Sequence, residues 1–280
     1  SDGFDDLVVA APREDIGQTV NSGSVWILYG SDSGLRSESS WGFNQASSGI
    51  PGENEENDLW GSALVTGDFN GDSYADLVIG APYQDVDESV DAGSILVLFG
   101  GSTGLSSLNA MEFHQDTDGV PGANEVGDLW GSSLASADFN GDGYDDVIIG
   151  APGESIGVIE NAGAFTVMFG SDQGLNADGS ILFHQGTPGI PGGPEEGDHW
   201  AETLTTGDFD GDGYSDLAVG NPDESIGIKL FTGAVTLLYG WEAGFETSKS
   251  KLFHQGSSNM AGGNEPNDKW GSVLETGDFD

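Results

Sequence analysis

The stretch ADFNGDGYDDVIIGAP, residues 137–152, sets an acidic loop directly before a short apolar strand. The same pair stands at 67–82 (GDFNGDSYADLVIGAP) and at 207–222 (GDFDGDGYSDLAVGNP), and the loop opens once more at 277–280 (GDFD). The opening aspartates, Asp68, Asp138, Asp208 and Asp278, are each 70 residues apart. A fixed period of that length marks a repeat architecture in which every unit stacks on the next. The chain ends inside one such loop (Asp278-Phe279-Asp280) and starts inside another (Ser1 to Asp6), so the two ends together read as a fourth copy. It begins at Ser1 without Met and is expected to be a processed or trimmed segment.

The repeats fall at 68–137, 138–207 and 208–277, with 278–280 plus 1–67 as the fourth, in a single domain spanning 1–280. In the second unit four strand-like stretches are apolar, β-branched or aromatic and bounded by turn residues: Leu129–Ala137, Asp146–Ala151, Ala164–Phe169 and Ile181–His184. No stretch holds a helical period. The expectation is all-β: a β-propeller of four 70-residue, four-stranded blades, closed by pairing of the N- and C-terminal strands. Part of a seven- or eight-bladed propeller, or an eight-bladed dimer, is the alternative. The connectivity puts the acidic loop and the turn at Gly170–Leu175 on one face. The longer connections, Pro152–Gly163 and Gln185–Asp198, then share the opposite face, where binding is expected.

The loop pattern D-x-[DN]-x-D-[GS]-x-x-D places oxygen side chains at positions 1, 3, 5 and 9, with a backbone carbonyl at position 7. Hard oxygen ligands in a short loop suit Ca²⁺ better than Mg²⁺, which demands tighter octahedral geometry. The complete sets are Asp68, Asn70, Asp72 and Asp76; Asp138, Asn140, Asp142 and Asp146; and Asp208, Asp210, Asp212 and Asp216. The split set is Asp278, Asp280, Asp2 and Asp6. The carbonyl candidates are Tyr74, Tyr144, Tyr214 and Phe4. Ser73 stands where the other loops carry glycine and is expected to strain its turn.

With Trp60-Gly61 and Trp130-Gly131 before them and Gly80-Ala81-Pro82 and Gly150-Ala151-Pro152 after, these loops resemble FG-GAP repeats. Those repeats form the β-propeller of integrin α subunits and of many bacterial secreted proteins, with seven blades as the usual number. Small departures are Ala10-Ala11-Pro12, Gly220-Asn221-Pro222 and Trp200-Ala201, none of which removes a cation ligand. The resemblance implies a calcium-stabilised extracellular or cell-surface module for adhesion or recognition, with a protein or glycan ligand on the long-loop face. A carbohydrate-binding lectin, using Trp26, Trp41 and Trp241 as stacking surfaces, is one alternative. A structural repeat unit or accessory domain of a larger secreted protein is another, and a homo-oligomer is open.

Composition narrows the partners. Against 48 acidic residues stand 6 basic ones, a formal net charge of −42, which excludes nucleic acid and anionic lipid surfaces. Four bound divalent ions leave most of that charge to be screened by salt. Without Cys there are no disulfides or thiolate metal sites, and the apolar runs are too short to insert into a membrane.

Other recurring residues read as structure. Glu55, Glu125, Glu195 and Glu265 occupy one slot, with Asp58, Asp128, Asp198 and Asp268 three positions later. A carboxylate that holds a long loop through backbone N–H bonds is preferred there to a second ligand site. Trp60, Trp130, Trp200 and Trp270 are expected to anchor blade packing. His114, His184 and His254 are too dispersed to share a metal, and Gly100-Gly101-Ser102-Thr103-Gly104 is a hairpin turn rather than a nucleophile elbow. No catalytic constellation stands out, so the chain is not expected to be an enzyme.

Overall fold

The computed structural model describes residues 3–242 and 244–279, with Ser39 described for its backbone only. It is built from antiparallel sheets. The first sheet holds β1 (Leu7–Ala11), β2 (Ser24–Tyr29) and β3 (Arg36–Phe43). The second runs β4 (Ala63–Gly67), β5 (Asp76–Ala81), β6 (Ser94–Phe99) and β7 (Ser106–Phe113). The third is β8 (Ser133–Ala137), β9 (Asp146–Ala151), β10 (Ala164–Phe169) and β11 (Asn176–His184). The fourth starts with β12 (Thr203–Gly207), β13 (Asp216–Asn221) and β14 (Ala234–Leu238). A two-residue ribbon of β15 (Gly240–Trp241) and β16 (Gly244–Phe245) and a 3₁₀ turn at Thr247–Lys249 precede its outer strand, β17 (Lys251–Phe253).

Each sheet is a meander of neighbours in sequence, as expected of a propeller blade. The four strands read from the second unit all form. The first begins four residues later than the sequence suggests, because Leu129 and Gly131 take positive φ (58° and 93°) and turn the chain before the ladder starts. The last begins earlier, at Asn176, and accommodates its extra length through a bulge between Val167 and Phe169 of β10.

The second strands β5, β9 and β13 are buried along their whole length: the sheets of β5 and β9 lie between neighbouring blades, and β13 is covered on its far side by the segment at Trp270 and Gly271. That explains the unbroken apolar runs LVIGA and VIIGA, where a sheet with one wet face would alternate. Trp60, Trp130 and Trp200 are fully buried wedges carried by the loops that cross from one blade to the next. The indoles of Trp130 and Trp200 donate to Thr166 Oγ1 (3.3 Å) and Thr236 Oγ1 (3.2 Å), so neither buries an unpaired N–H. Gly93 and Gly163 make room for them, since a Cβ at either position would collide with the Trp backbone.

Inner strands meet across the 70-residue period. Ser136 Oγ donates to Thr66 O (2.8 Å), Thr206 Oγ1 to Ser136 O (3.3 Å) and Thr276 Oγ1 to Thr206 O (2.8 Å). The segment 273–277 therefore lies beside β12 as the next inner strand would, yet it is not itself in a ladder. At the other end β1 is an edge strand, with Leu7 44% and Val9 40% exposed. Thus the expected pairing of terminal strands is not found among the described residues, and the first blade has three strands instead of four. Four repeated antiparallel sheets stepped around the buried Trp residues are consistent with a four-bladed propeller.

Candidate metal centres

Each acidic loop connects the first strand of a blade to the second, and a carboxylate at its end holds it shut. Asp76, Asp146 and Asp216 are fully buried. Their Oδ2 atoms accept the N–H of Phe69 (3.0 Å), Phe139 (2.9 Å) and Phe209 (2.8 Å). Their Oδ1 atoms accept from Gly100 (2.8 Å), Gly170 (2.9 Å) and Gly240 (2.8 Å), in the turn after the third strand. One carboxylate thus ties both connections of its face together, which puts them where the topology placed them. Asp6 keeps half of this arrangement, accepting from Gly30 N at 2.8 Å.

The opening aspartates curl the loop around themselves. Asp138 Oδ1 accepts from Gly141 N (2.7 Å) and Asp142 N (3.1 Å), and its Oδ2 accepts from Gly143 N (2.9 Å). Asp208 repeats this with Gly211, Asp212 and Gly213. Asp68 does so with Asp72 and Ser73. Asn70 and Asn140 accept from Asp72 N and Asp142 N (both 2.9 Å). Tyr74, Tyr144 and Tyr214 donate to Asp72, Asp142 and Asp212 at 2.9, 3.0 and 2.9 Å. Ser73 adopts φ 68°, matching the left-handed turn of Gly143 (93°) and Gly213 (92°), so the serine accepts the strain its loop requires.

The carboxylates of these three loops form no ion pair among the described residues, and the exposed Lys249 offsets Asp210 and Asp212 only from a distance. Burial pushes the Asp146 carboxyl up to about 7 and that of Asp76 to about 6, the backbone N–H bonds offset part of this, and the neighbouring loop aspartates raise both further. Asp216 is raised for the same reasons. Carboxylate oxygens of Asp208, Asp210 and Asp216 all lie within 4.8 Å of one another. Like charges held that close, all of them oxygen donors, fit a hard divalent cation. In the split loop Phe4, Asp6 and Asp278 are described, while Asp2 and Asp280 lie outside the described residues.

The long-loop carboxylates prove to be loop holders. Asp58 and Asp128 accept the N–H of Glu55 and Glu125 at 2.7 Å, and Asp198 and Asp268 those of Glu195 and Glu265 at 2.8 Å. Asn124 and Asn264 approach the Nδ1 atoms of His114 (3.3 Å) and His254 (3.2 Å), and His184 Nδ1 accepts from Gly186 N (3.0 Å). Sequence reading missed two groupings on this face. Gln115 and Gln185 reach 39 residues along the chain, into the neighbouring blade, to buried Glu154 and Glu224. His199, Glu202 and Asp223 form a cluster in which His199 Nδ1 lies 3.0 Å from Asp223 Oδ2, with Lys269 Nζ 2.7 Å from Asp223 Oδ1. The matching slots Leu129, Ser132 and Gly153 hide it from any search for repeated residues.

The FG-GAP repeat pattern matches residues 1–28, 60–98, 130–168 and 200–238, more than half of the chain. The chain belongs to the FG-GAP repeat family. Similar proteins include phosphatidylinositol-glycan-specific phospholipase D of Bos taurus, 30% identical over 207 residues, covering 73% of this chain and 23% of that protein. Integrin alpha-PS5 of Drosophila melanogaster is 32% identical over 167 residues, 59% of this chain and 15% of the integrin. Integrin alpha-5 of Xenopus laevis is 26% identical over 201 residues, 70% of this chain and 17% of the integrin. This FG-GAP module thus spans less than a quarter of the length of these relatives. No helix among its described residues is long and apolar enough to cross a membrane.

Proposed function

We propose that this FG-GAP module is a calcium-stabilised extracellular or cell-surface interaction domain, holding about four Ca²⁺ per chain, one in each acidic loop. The observation that carries the reading is the repeated buried carboxylate, Asp76, Asp146 and Asp216, closing an all-oxygen loop whose carboxylates form no ion pair among the described residues. The ligands are Asp68, Asn70, Asp72, the Tyr74 carbonyl and Asp76, with their counterparts in the other loops. The ion neutralises these groups and locks the first hairpin of each blade. It does no chemistry there.

The partner is a protein or glycan bound on the long-loop face, where blades differ from one another as a specific surface requires. A sugar site built on Trp26 and Trp41 is disfavoured. Trp41 stacks on Phe43 at 4.6 Å, and the Trp26 indole lies close against Gly42, so both rings serve packing. Similarity to the phospholipase D favours a second reading, a non-catalytic accessory domain of a larger secreted protein. Thermal melting with Ca²⁺ and with EGTA tests the metal reading. At one hundred times the dissociation constant each site contributes about 2.7 kcal/mol, so chelation should lower the midpoint by many degrees. An unchanged midpoint would sink the proposal.

A further inference from the structure

We propose that His199, Glu202 and Asp223 form a site for a divalent ion of the zinc class on the long-loop face, in one repeat only. His199 Nδ1 lies 3.0 Å from Asp223 Oδ2, and one ligand atom from each of the three residues lies within 4.8 Å of the others. His199 and Glu202 stand on either side of Trp200 in the loop that leads into β12, and Asp223 lies in the loop that leaves β13. Those strands are antiparallel neighbours, with Thr203 opposite Gly220, so the ladder itself brings the two loops together.

Two further observations point to a ligand role. First, the same turn is built in every repeat: φ is 50° at Leu59, 58° at Leu129, 51° at His199 and 49° at Lys269. The backbone is shared, and only the side chains change. In the other three repeats Ser62, Ser132 and Ser272 close this turn, donating Oγ to the carbonyl three residues back at 2.7, 2.7 and 2.6 Å. An ionised Glu202 cannot donate that bond, so this repeat gives up a turn-closing contact for a carboxylate beside an imidazole. Second, Asp223 Oδ1 is buried and accepts no hydrogen bond. Lys269 Nζ stands 2.7 Å from it but outside hydrogen-bond geometry, so it brings charge without a directed donor. A buried carboxylate oxygen left in that state calls for a partner, and a metal ion is one.

The donor set selects the metal. One imidazole nitrogen with two carboxylates suits Zn²⁺, whereas Ca²⁺ and Mg²⁺ prefer oxygen alone. Bonds of about 2.1 Å at tetrahedral angles set ligand atoms about 3.4 Å apart. His199 Nδ1 and Asp223 Oδ2, now 3.0 Å apart, therefore need to open by only a few tenths of an ångström, and the exposed Glu202 side chain closes the remaining distance. Two carboxylates against one lysine leave the pocket net negative, and Lys269 serves as an outer partner of the ligating aspartate. Three protein ligands leave the fourth position to water. The inference is separate from the acidic loops, which lie on the opposite face, offer oxygen alone and recur in each repeat.

Calorimetric titration of Zn²⁺ into the full 280-residue chain, with Ca²⁺ saturating throughout, tests it. His199→Leu and Glu202→Ser insert the residues that the same slots carry at Leu59, Leu129, Ser62 and Ser132, so both variants keep the turn. The parent should bind one Zn²⁺ per chain at this site. Loss of an outer partner costs about 10–100-fold in metal affinity, so loss of the imidazole ligand in His199→Leu should cost at least about 100-fold. Glu202→Ser should cost at least about tenfold. Zinc should raise the melting midpoint of the parent and leave that of His199→Leu unmoved. No zinc bound by the parent, or equal zinc affinity in the parent and His199→Leu, overturns the proposal and leaves the cluster an ion-pair network alone. Calcium is present in every titration, so failure here leaves the acidic-loop reading standing, and failure of that reading leaves this one.

Discussion

The two faces of this array use the same residue types under different rules. On the acidic-loop face three blades repeat one device: an aspartate opens the loop, and a buried aspartate (Asp76, Asp146 or Asp216) closes it with two backbone N–H bonds. On the opposite face the Asp58 slot is equally regular, but what lies around it changes from blade to blade. Gln84 stands where others carry Glu154 and Glu224, and the His199, Glu202 and Asp223 cluster occurs in one repeat only. A carboxylate that serves the backbone can sit beside varied neighbours. One that serves a shared ion needs its co-ligands preserved, and on the acidic-loop face they are.

The sharpest way to break this comparison is to remove one carboxylate from each face. Asp146→Ala leaves the N–H groups of Phe139 and Gly170 without acceptors and should cost roughly 2–5 kcal/mol. The loss should be larger in Ca²⁺ than in EGTA. Asp58→Ala frees one N–H, that of Glu55, and should cost about 1–3 kcal/mol, equally in both. Denaturant melts of the two variants with and without metal read the difference, and equal metal dependence would erase the distinction between the faces.

Proton linkage gives a second contrast. Without metal, Asp146 and Asp76 are raised in the folded state to about 7 and about 6, above their unfolded range near 4. The folded chain then binds more protons than the unfolded one between those values. This contribution is full below the unfolded pKa and is lost as pH rises towards the folded one. In EGTA the melting point should therefore fall from pH 5 to pH 8. Calcium requires the ionised carboxylates, so the advantage it gives should widen over the same range. A gap between the two curves that ignores pH would remove Asp146 and Asp76 from the ligand set.

The smallest effect concerns one backbone angle. Ser73→Gly relieves a left-handed serine but adds unfolded-state freedom, for a net gain of about 0.5 kcal/mol. Gly143→Ser should cost about 1 kcal/mol, and paired thermal melts would show whether the two loops respond alike.

Much of this was legible in the residues. The second unit shows its four strands and its acidic loop because each is a local pattern: apolar runs of strand length, turn residues and oxygen side chains at fixed offsets. The seating of segment 273–277 beside β12 was not legible. Matching half-loops at Asp278 and Asp6 say that two pieces belong to one motif, but not which neighbours each piece packs on. The contacts from Gln115 to Glu154 and from Gln185 to Glu224 were hidden for a related reason. Their 39-residue offset joins different parts of neighbouring blades and corresponds to no period in the chain.

By itself the sequence determined the 70-residue unit, the all-β blade and the acidic loop, because strand alternation, turn chemistry and ligand spacing act over a few residues. Tertiary structure decided which carboxylates are buried, which glutamines reach a glutamate in the neighbouring blade, and that β1 is an edge strand. Those outcomes depend on how the blades pack around the buried Trp residues and on which loops are thereby brought into contact. Such quantities are set by the packing of whole sheets and are carried by no single stretch of the chain.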